Sequence, residues 1–171
     1  MALVFQYGSN CSAARINSRD RLNGDAVLLG RAELEGFRLV FDVWSDGNNC
    51  AAADIVEVPA STVQGVLYEI PDNLISRTTT PLRRKSFDAI EGRRYERRQV
   101  RVKRRDGSVV NAITYVARQS EREGNIQTSL EYVTYIVLGL RENAADEEYI
   151  GMVKEIAQEN NPAIATQVRA L

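Results

Sequence analysis

From Ala26 to Ile70 the chain carries four β-leaning runs, Ala26 to Leu29, Ala32 to Val43, Ala51 to Val58 and Val63 to Ile70, punctuated by Gly, Asn, Asp and Pro. In the second run Phe37, Leu39, Phe41 and Val43 recur at every second position, which gives a strand one buried face. Tyr95 to Arg104 and Val109 to Ala117 read as two further strands across Arg105-Asp106-Gly107-Ser108, whose Asp-Gly pair is a hairpin signal. On the first of these, Val100 and Val102 should face inward and Arg101 and Lys103 outward. Residues 2–6 read as one more strand, running into the turn-forming Tyr7-Gly8-Ser9-Asn10. So many short strands expose edges unless the sheet closes or curves strongly. The expected architecture is therefore α+β, a small mixed β-barrel or curved sheet of about six strands with flanking helices.

The helical signals are weak early and strong late. Residues 11–22 hold Ala13, Ala14, Ile16 and Leu22 at a loose helical spacing, before the turn Asn23-Gly24-Asp25. Pro71-Asp72 opens a short helix to about Ser76, and after Thr78-Thr79-Thr80-Pro81 a second helix is predicted over Leu82 to Ile90. Glu91-Gly92 ends it, with glycine where a helix terminus wants a left-handed residue. Leu130 to Arg141 is one late helix. Glu147 to Glu159 is another, with Ile150, Val153, Ile156 and Ala157 on one stripe, stopped by Asn160-Asn161-Pro162. No repeat or linker interrupts the 171 residues, so one domain is expected over 1–171, with a helical C-terminal extension from about 145.

Composition removes whole classes of chemistry. The chain has no histidine, which excludes Ser-His-Asp and Cys-His catalysis, His-ligated zinc and His-held haem. Cys11 and Cys50 are too few for a disulfide framework or a four-thiolate metal site, and both are expected reduced. No phosphate loop, EF-hand or zinc signature occurs, so neither metal nor cofactor is expected. Met1 to Phe5 lacks the features of a secretory signal. The longest apolar run, Tyr132 to Leu140, falls well short of the ~18–20 residues needed to span a bilayer. A cytoplasmic protein without a membrane partner is expected.

Two features could carry chemistry. A strand ending in Gly8-Ser9-Asn10 can turn successive backbone N–H groups toward one point, a concavity suited to an anion or oxyanion, with serine and asparagine adding donors. The same residues also make an ordinary turn. Glu91 at a helix C-terminus faces the negative end of the helix dipole, so its charge needs solvent or a reason. Cys11 beside the loop would need a base to act as a nucleophile and is not assigned that role.

In this order and spacing, Tyr7-Gly8-Ser9-Asn10, Val63-Gln64-Gly65-Val66-Leu67-Tyr68-Glu69-Ile70, and Glu91-Gly92 with Tyr95 and Arg98-Gln99-Val100-Arg101-Val102 resemble the γ-glutamylcyclotransferase family, which includes the plant AIG2-like proteins. Tyr132 and Gly139-Leu140-Arg141-Glu142-Asn143 resemble its helical C-terminal part, and the resemblance covers roughly residues 2 to 150. Asn10 stands where the glutathione-specific branch has leucine, and Cys11 where members commonly have an aliphatic residue. The resemblance implies a small β-barrel and a reaction in which the α-amine of a γ-glutamyl group attacks its own γ-carbonyl, giving 5-oxoproline and a released amine or amino acid. It implies Glu91 as general base and then acid. It implies Tyr7, Gly8, Ser9 and Asn10 as the loop that binds the γ-glutamyl head, with Tyr95 and Tyr132 lining the pocket. The partner it implies is a small γ-glutamyl substrate. It leaves oligomeric state open.

One feature stands apart. Eleven of the 23 residues from Arg83 to Arg105 are Lys or Arg, although the net charge is only −1. One reading is a solvated strand whose charges pair with the acidic remainder. The alternative is a non-enzymatic module of the same fold that uses strand 93–105 to hold an anionic partner; nucleic acid is not the expected one.

Overall fold

A computed structural model of the chain describes residues 1–76 and 85–171. Five strands, β1 (Ala2–Gln6), β2 (Val27–Ser45), β3 (Cys50–Ile70), β4 (Tyr95–Arg104) and β5 (Val109–Ala117), close into a barrel in the order β1-β3-β2-β4-β5. All neighbours are antiparallel except β1 and β5, which meet in parallel at Val4 and Ile113. Helix α1 (Ala13–Ile16) follows β1, α2 (Phe87–Glu91) precedes β4, and α3 (Leu130–Glu142), α4 (Glu147–Asn160) and α5 (Ala165–Ala170) follow the barrel.

The four middle runs are two continuous strands. What reads as a break between Leu29 and Ala32 is an irregularity inside β2 at Gly30, and a second lies at Gly36, within the predicted run Ala32 to Val43. Both glycines have positive φ (+101° and +82°), and the β2–β3 register shifts between Leu28 and Gly30 and between Glu35 and Phe37. Bulges of this kind bend a ribbon without ending it, which is how two long strands wrap a small barrel. The period-two pattern holds: Leu39, Phe41 and Val43 are buried and Phe37 packs against the core. On β4, Val100 and Val102 are buried, while Arg101 and Lys103 are exposed.

The early helical expectation shrinks. Over 11–22 only α1 forms, capped by Ser12, after a 3-10 turn at Ser9–Cys11. A 3-10 turn also replaces the helix after Pro71, at Asp72–Leu74. Of the helix expected over Leu82 to Ile90, residues 82–84 lie outside the described residues, as do Arg83 and Arg84 of the basic cluster and the Thr78–Pro81 break. The remainder is α2, N-capped by Ser86, which accepts from the Ala89 N–H at 3.2 Å. Helices α3 and α4 lie where expected, and the α4 stripe Ile150, Val153, Ile156 and Ala157 is buried. No helix among the described residues is long and apolar enough to cross a membrane.

Two glycines let the layers approach. A Cβ on Gly65 of β3 would lie 2.2 Å from the Gln6 carbonyl oxygen and 2.7 Å from the Phe5 ring. One on Gly139 of α3 would lie 2.4 Å from the backbone of Cys11 and Ser12. Helix α3 thus sits directly on the loop after β1, which brings Tyr132 over that loop.

Candidate active site

Glu91 is the last residue of α2, and Gly92 behind it has φ +83° and ψ 175°, a conformation open to glycine. The turn at Gly92 throws the chain directly into β4, so Glu91 and Tyr95 face one open cavity of about 830 Å³. Ser9 and Asn10 from the loop after β1, and Tyr132 from α3, line the same cavity. Five of the seven residues singled out from sequence are therefore brought together.

Tyr7 and Gly8 lie behind the wall. Tyr7 is buried, and its hydroxyl donates to the Tyr115 carbonyl of β5 at 2.5 Å, which ties the loop to the barrel. Gly8 has φ −99° and ψ −147°, so its backbone is not in the left-handed region that favours glycine. A Cβ there would sit 3.4 Å from Ala53 Cβ and from the Tyr132 hydroxyl, at the near edge of ordinary van der Waals contact with β3 and α3. The loop winds into a 3-10 turn, with Cys11 N–H donating to the Gly8 carbonyl at 3.0 Å. The N–H groups of Ser9 and Asn10 open that turn and have no partner within it. Cys11 is fully buried, its thiol donates to the Gln6 carbonyl at 3.3 Å, and burial pushes its pKa up, which disfavours a thiolate.

The electrostatics single out Glu91. Burial raises its carboxyl from 4.5 to about 7, opposed by the Arg21 charge, by a hydrogen bond from Asn10 and by Arg15. The Asn10 amide donates to Glu91 Oε1 at 2.9 Å, and Asn10 Oδ1 in turn accepts from Arg21 Nη1 at 2.8 Å. Arg15 lies across the ring of Tyr135 at 4.2 Å and donates to Asn48 at 2.7 Å, joining α1, α3 and the β2–β3 turn.

One peptide unit gives the two cavity tyrosines opposite hydrogen-bond polarity. Tyr95 donates its hydroxyl to the Ala53 carbonyl at 2.7 Å, which leaves its oxygen lone pairs free to accept. Tyr132 accepts from the Ala53 N–H at 3.1 Å and is hydrogen-bonded to the Ser9 side chain; burial raises its pKa to about 12, opposed by these two bonds. Its own proton is then the group left to donate. The site therefore offers a proton-exchangeable carboxyl, a hydroxyl acceptor, a hydroxyl donor and two backbone N–H groups at a turn. Among the described residues no group of three or more His, Cys, Asp or Glu side chains is placed to hold a metal ion.

Sequence reasoning missed Arg15, Arg21 and Ala53. The two arginines carry no motif and act through the reach of a long side chain. Ala53 acts only through its backbone, for which the sequence has no signal.

Comparison with known proteins adds the family. The model of the family "Gamma-glutamyl cyclotransferase, AIG2-like" matches residues 4–134. A human protein described as uncharacterized is similar in structure at 26% identity and TM-score 0.76, over 90% of this chain and 86% of that one. A structure named γ-glutamyl cyclotransferase superposes with TM-score 0.75 at 24% identity, over 90% and 86%. YkqA of Bacillus subtilis shares the fold at 23% identity and TM-score 0.74; 93% of this chain spans 55% of that one. No curated protein matches by sequence. The match over residues 4–134 takes in the Tyr7–Asn10 loop, Glu91, Tyr95 and Tyr132, and the chain belongs to the γ-glutamyl cyclotransferase, AIG2-like family.

Proposed function

We propose that this protein is an enzyme that cyclises a γ-glutamyl group to 5-oxoproline and releases an amine or amino acid. The observation that carries the reading is the Glu91 carboxyl in the cavity, raised to about 7 by burial and held through one oxygen by Asn10 of the loop after β1. A group poised there can take a proton and return it at neutral pH.

The reaction needs no nucleophile from the protein. The α-ammonium of the substrate loses a proton to the Glu91 carboxylate, and the freed amine attacks the γ-carbonyl carbon in the same molecule. Holding the substrate in the ring-closing conformer can supply about 7–11 kcal/mol of the barrier. Tyr95, with its lone pairs free, accepts from the ammonium. Tyr132, with its proton free, and the opening N–H groups of the 3-10 turn donate to the tetrahedral oxygen. The bond to the leaving nitrogen then breaks as Glu91 delivers its proton there. Over the whole reaction two protons leave the ring nitrogen and two reach the released amine, so the enzyme ends as it began. A cytosolic location, as expected from the sequence, fits this reading.

The ion pairs of β4 and of Arg94 just before it weigh against an anion-holding module. Arg94 meets Asp46 and Glu121, Arg97 meets Asp88 and Arg98 meets Glu57, all within 3.4 Å. The test is a panel of γ-glutamyl amino acids and γ-glutamylamines, scored for 5-oxoproline by mass spectrometry. Product from at least one class is expected; a panel with none would overturn the reading.

A further inference from the structure

Glu91 meets its cation at one remove. Arg21, from the segment after α1, reaches the cavity half-buried and donates through Nη1 to Asn10 Oδ1 at 2.8 Å. A guanidinium can only donate, so it fixes which end of the Asn10 amide faces it. The oxygen must turn to Arg21 and the NH₂ group to Glu91, where it donates at 2.9 Å to Oε1. Rotated by half a turn, the same amide would set its oxygen against the carboxylate and hold Glu91 protonated.

We infer that Arg21 is a positioning residue for Glu91: by locking the Asn10 amide it decides that Glu91 receives a donor on Oε1, keeping the carboxylate form accessible and leaving Oε2 for the substrate. The inference deepens the proposed function and rests on it for the substrate's part alone. The groups facing Glu91 are consistent with this division. Arg21 and Arg15 favour its charge, while the hydroxyls of Tyr7, Tyr95, Tyr115 and Tyr132 feel that charge as a neighbour. Asp20, next to Arg21, acts on the arginine. Arg21 touches neither the reacting atoms nor the loop backbone in this scheme; its charge also favours the carboxylate through space, and what passes through the Asn10 amide is the orientation of the donor on Oε1.

The experiment follows Glu91 and Asn10 by NMR in the full chain, with the Glu91 carboxyl ¹³C signal assigned by its loss in Glu91→Gln. In the wild type the Asn10 side-chain amide proton should shift with the Glu91 titration, because it bonds the titrating group. Arg21→Met should raise the Glu91 midpoint by about one pH unit, the low end for a lost neighbouring cation, and the Asn10 amide should stop following it. Arg21→Lys, which still donates to Asn10, should restore both signals. An Arg21→Met protein with an unmoved midpoint would overturn the inference. So would a moved midpoint with the Asn10 amide still tracking Glu91, which would reduce Arg21 to a remote charge. Neither signal needs turnover. A wild type that passes this test yet makes no 5-oxoproline would refute the proposed function and leave the role of Arg21 standing.

Discussion

Glu91 and Asp54 both act on Tyr7 and Tyr95, yet their surroundings treat the two carboxylates in opposite ways. Asp54 is fully buried and has both oxygens taken, Oδ1 by the Ala117 N–H at 2.8 Å and Oδ2 by Arg122 Nε at 2.9 Å. This pairing joins β3 to the end of β5 and to the strap that leads into α3. Glu91 has an amide where Asp54 has a guanidinium, and its arginine stands one residue further off. A direct guanidinium contact makes a clasp; an amide in between leaves a group that can exchange its proton. Asp42, beside the clasp, shows the boundary. It lies 3.9 Å from Arg122, and burial, with Asp54 nearby, lifts it to about 6.

The largest expected effect breaks the clasp. Arg122→Met would take away the ion-pair partner of the buried Asp54, and removing one partner of a buried pair typically costs about 3–5 kcal/mol. Arg122 keeps some solvent contact, so about 3 kcal/mol is expected from urea unfolding at pH 7. A loss below 1 kcal/mol would mean that Asp54 is not held by charge and would erase the contrast with Glu91.

A smaller effect of the opposite sign is expected at Glu91. Its folded pKa lies above its unfolded value, so the wild type keeps full stability below about pH 4.5 and loses it as pH rises through about 7. Glu91→Gln keeps the acceptor for Asn10 and cannot ionise. It should match the wild type at pH 4 and exceed it by about 2 kcal/mol at pH 8, somewhat under the full linkage value because the residue is only partly buried. Denaturant curves at the two pH values measure this; an equal difference at both would show that ionising Glu91 costs the fold nothing.

The smallest effect concerns β4, whose charges divide in the same way. Arg94, just before the strand and at the cavity, and Arg97 and Arg98 on the strand are ion-paired, while Arg101 and Lys103 are exposed further along it. Changing Arg101 and Lys103 together to glutamine should alter stability by no more than about 0.5 kcal/mol per site and leave turnover of a small uncharged-tail substrate nearly unchanged. Lost activity in a folded protein would bring this strand into the chemistry.

The candidate site was legible in the sequence where its parts are short-range. Glu91-Gly92 is a helix end followed directly by a strand, and Tyr7 to Asn10 is a strand end followed by a turn; both read from local residues. The long β2 was hidden because Gly30 looks the same whether it ends a strand or bends it, and the long β3 because Pro59-Ala60-Ser61-Thr62 reads as a gap between two runs. Arg21 was hidden because no local pattern marks its reach back to Asn10, and Arg122 because it meets Asp54 across the fold, over 68 positions of chain. Gly65 and Gly139 stood inside the family-like segments, but their reason, backbone packed where a Cβ would be, appears only once the layers are assembled.

The central claim is that Glu91 moves the proton. The direct measurement is 5-oxoproline formation by wild type and Glu91→Gln on the best γ-glutamyl substrate, with substrate binding measured on both. General acid–base groups contribute about 10²–10⁴-fold, so the glutamine variant should lose at least a hundredfold in kcat while binding substrate with similar affinity. A folded Glu91→Gln protein that turns over within a few-fold of wild type would remove Glu91 from the mechanism.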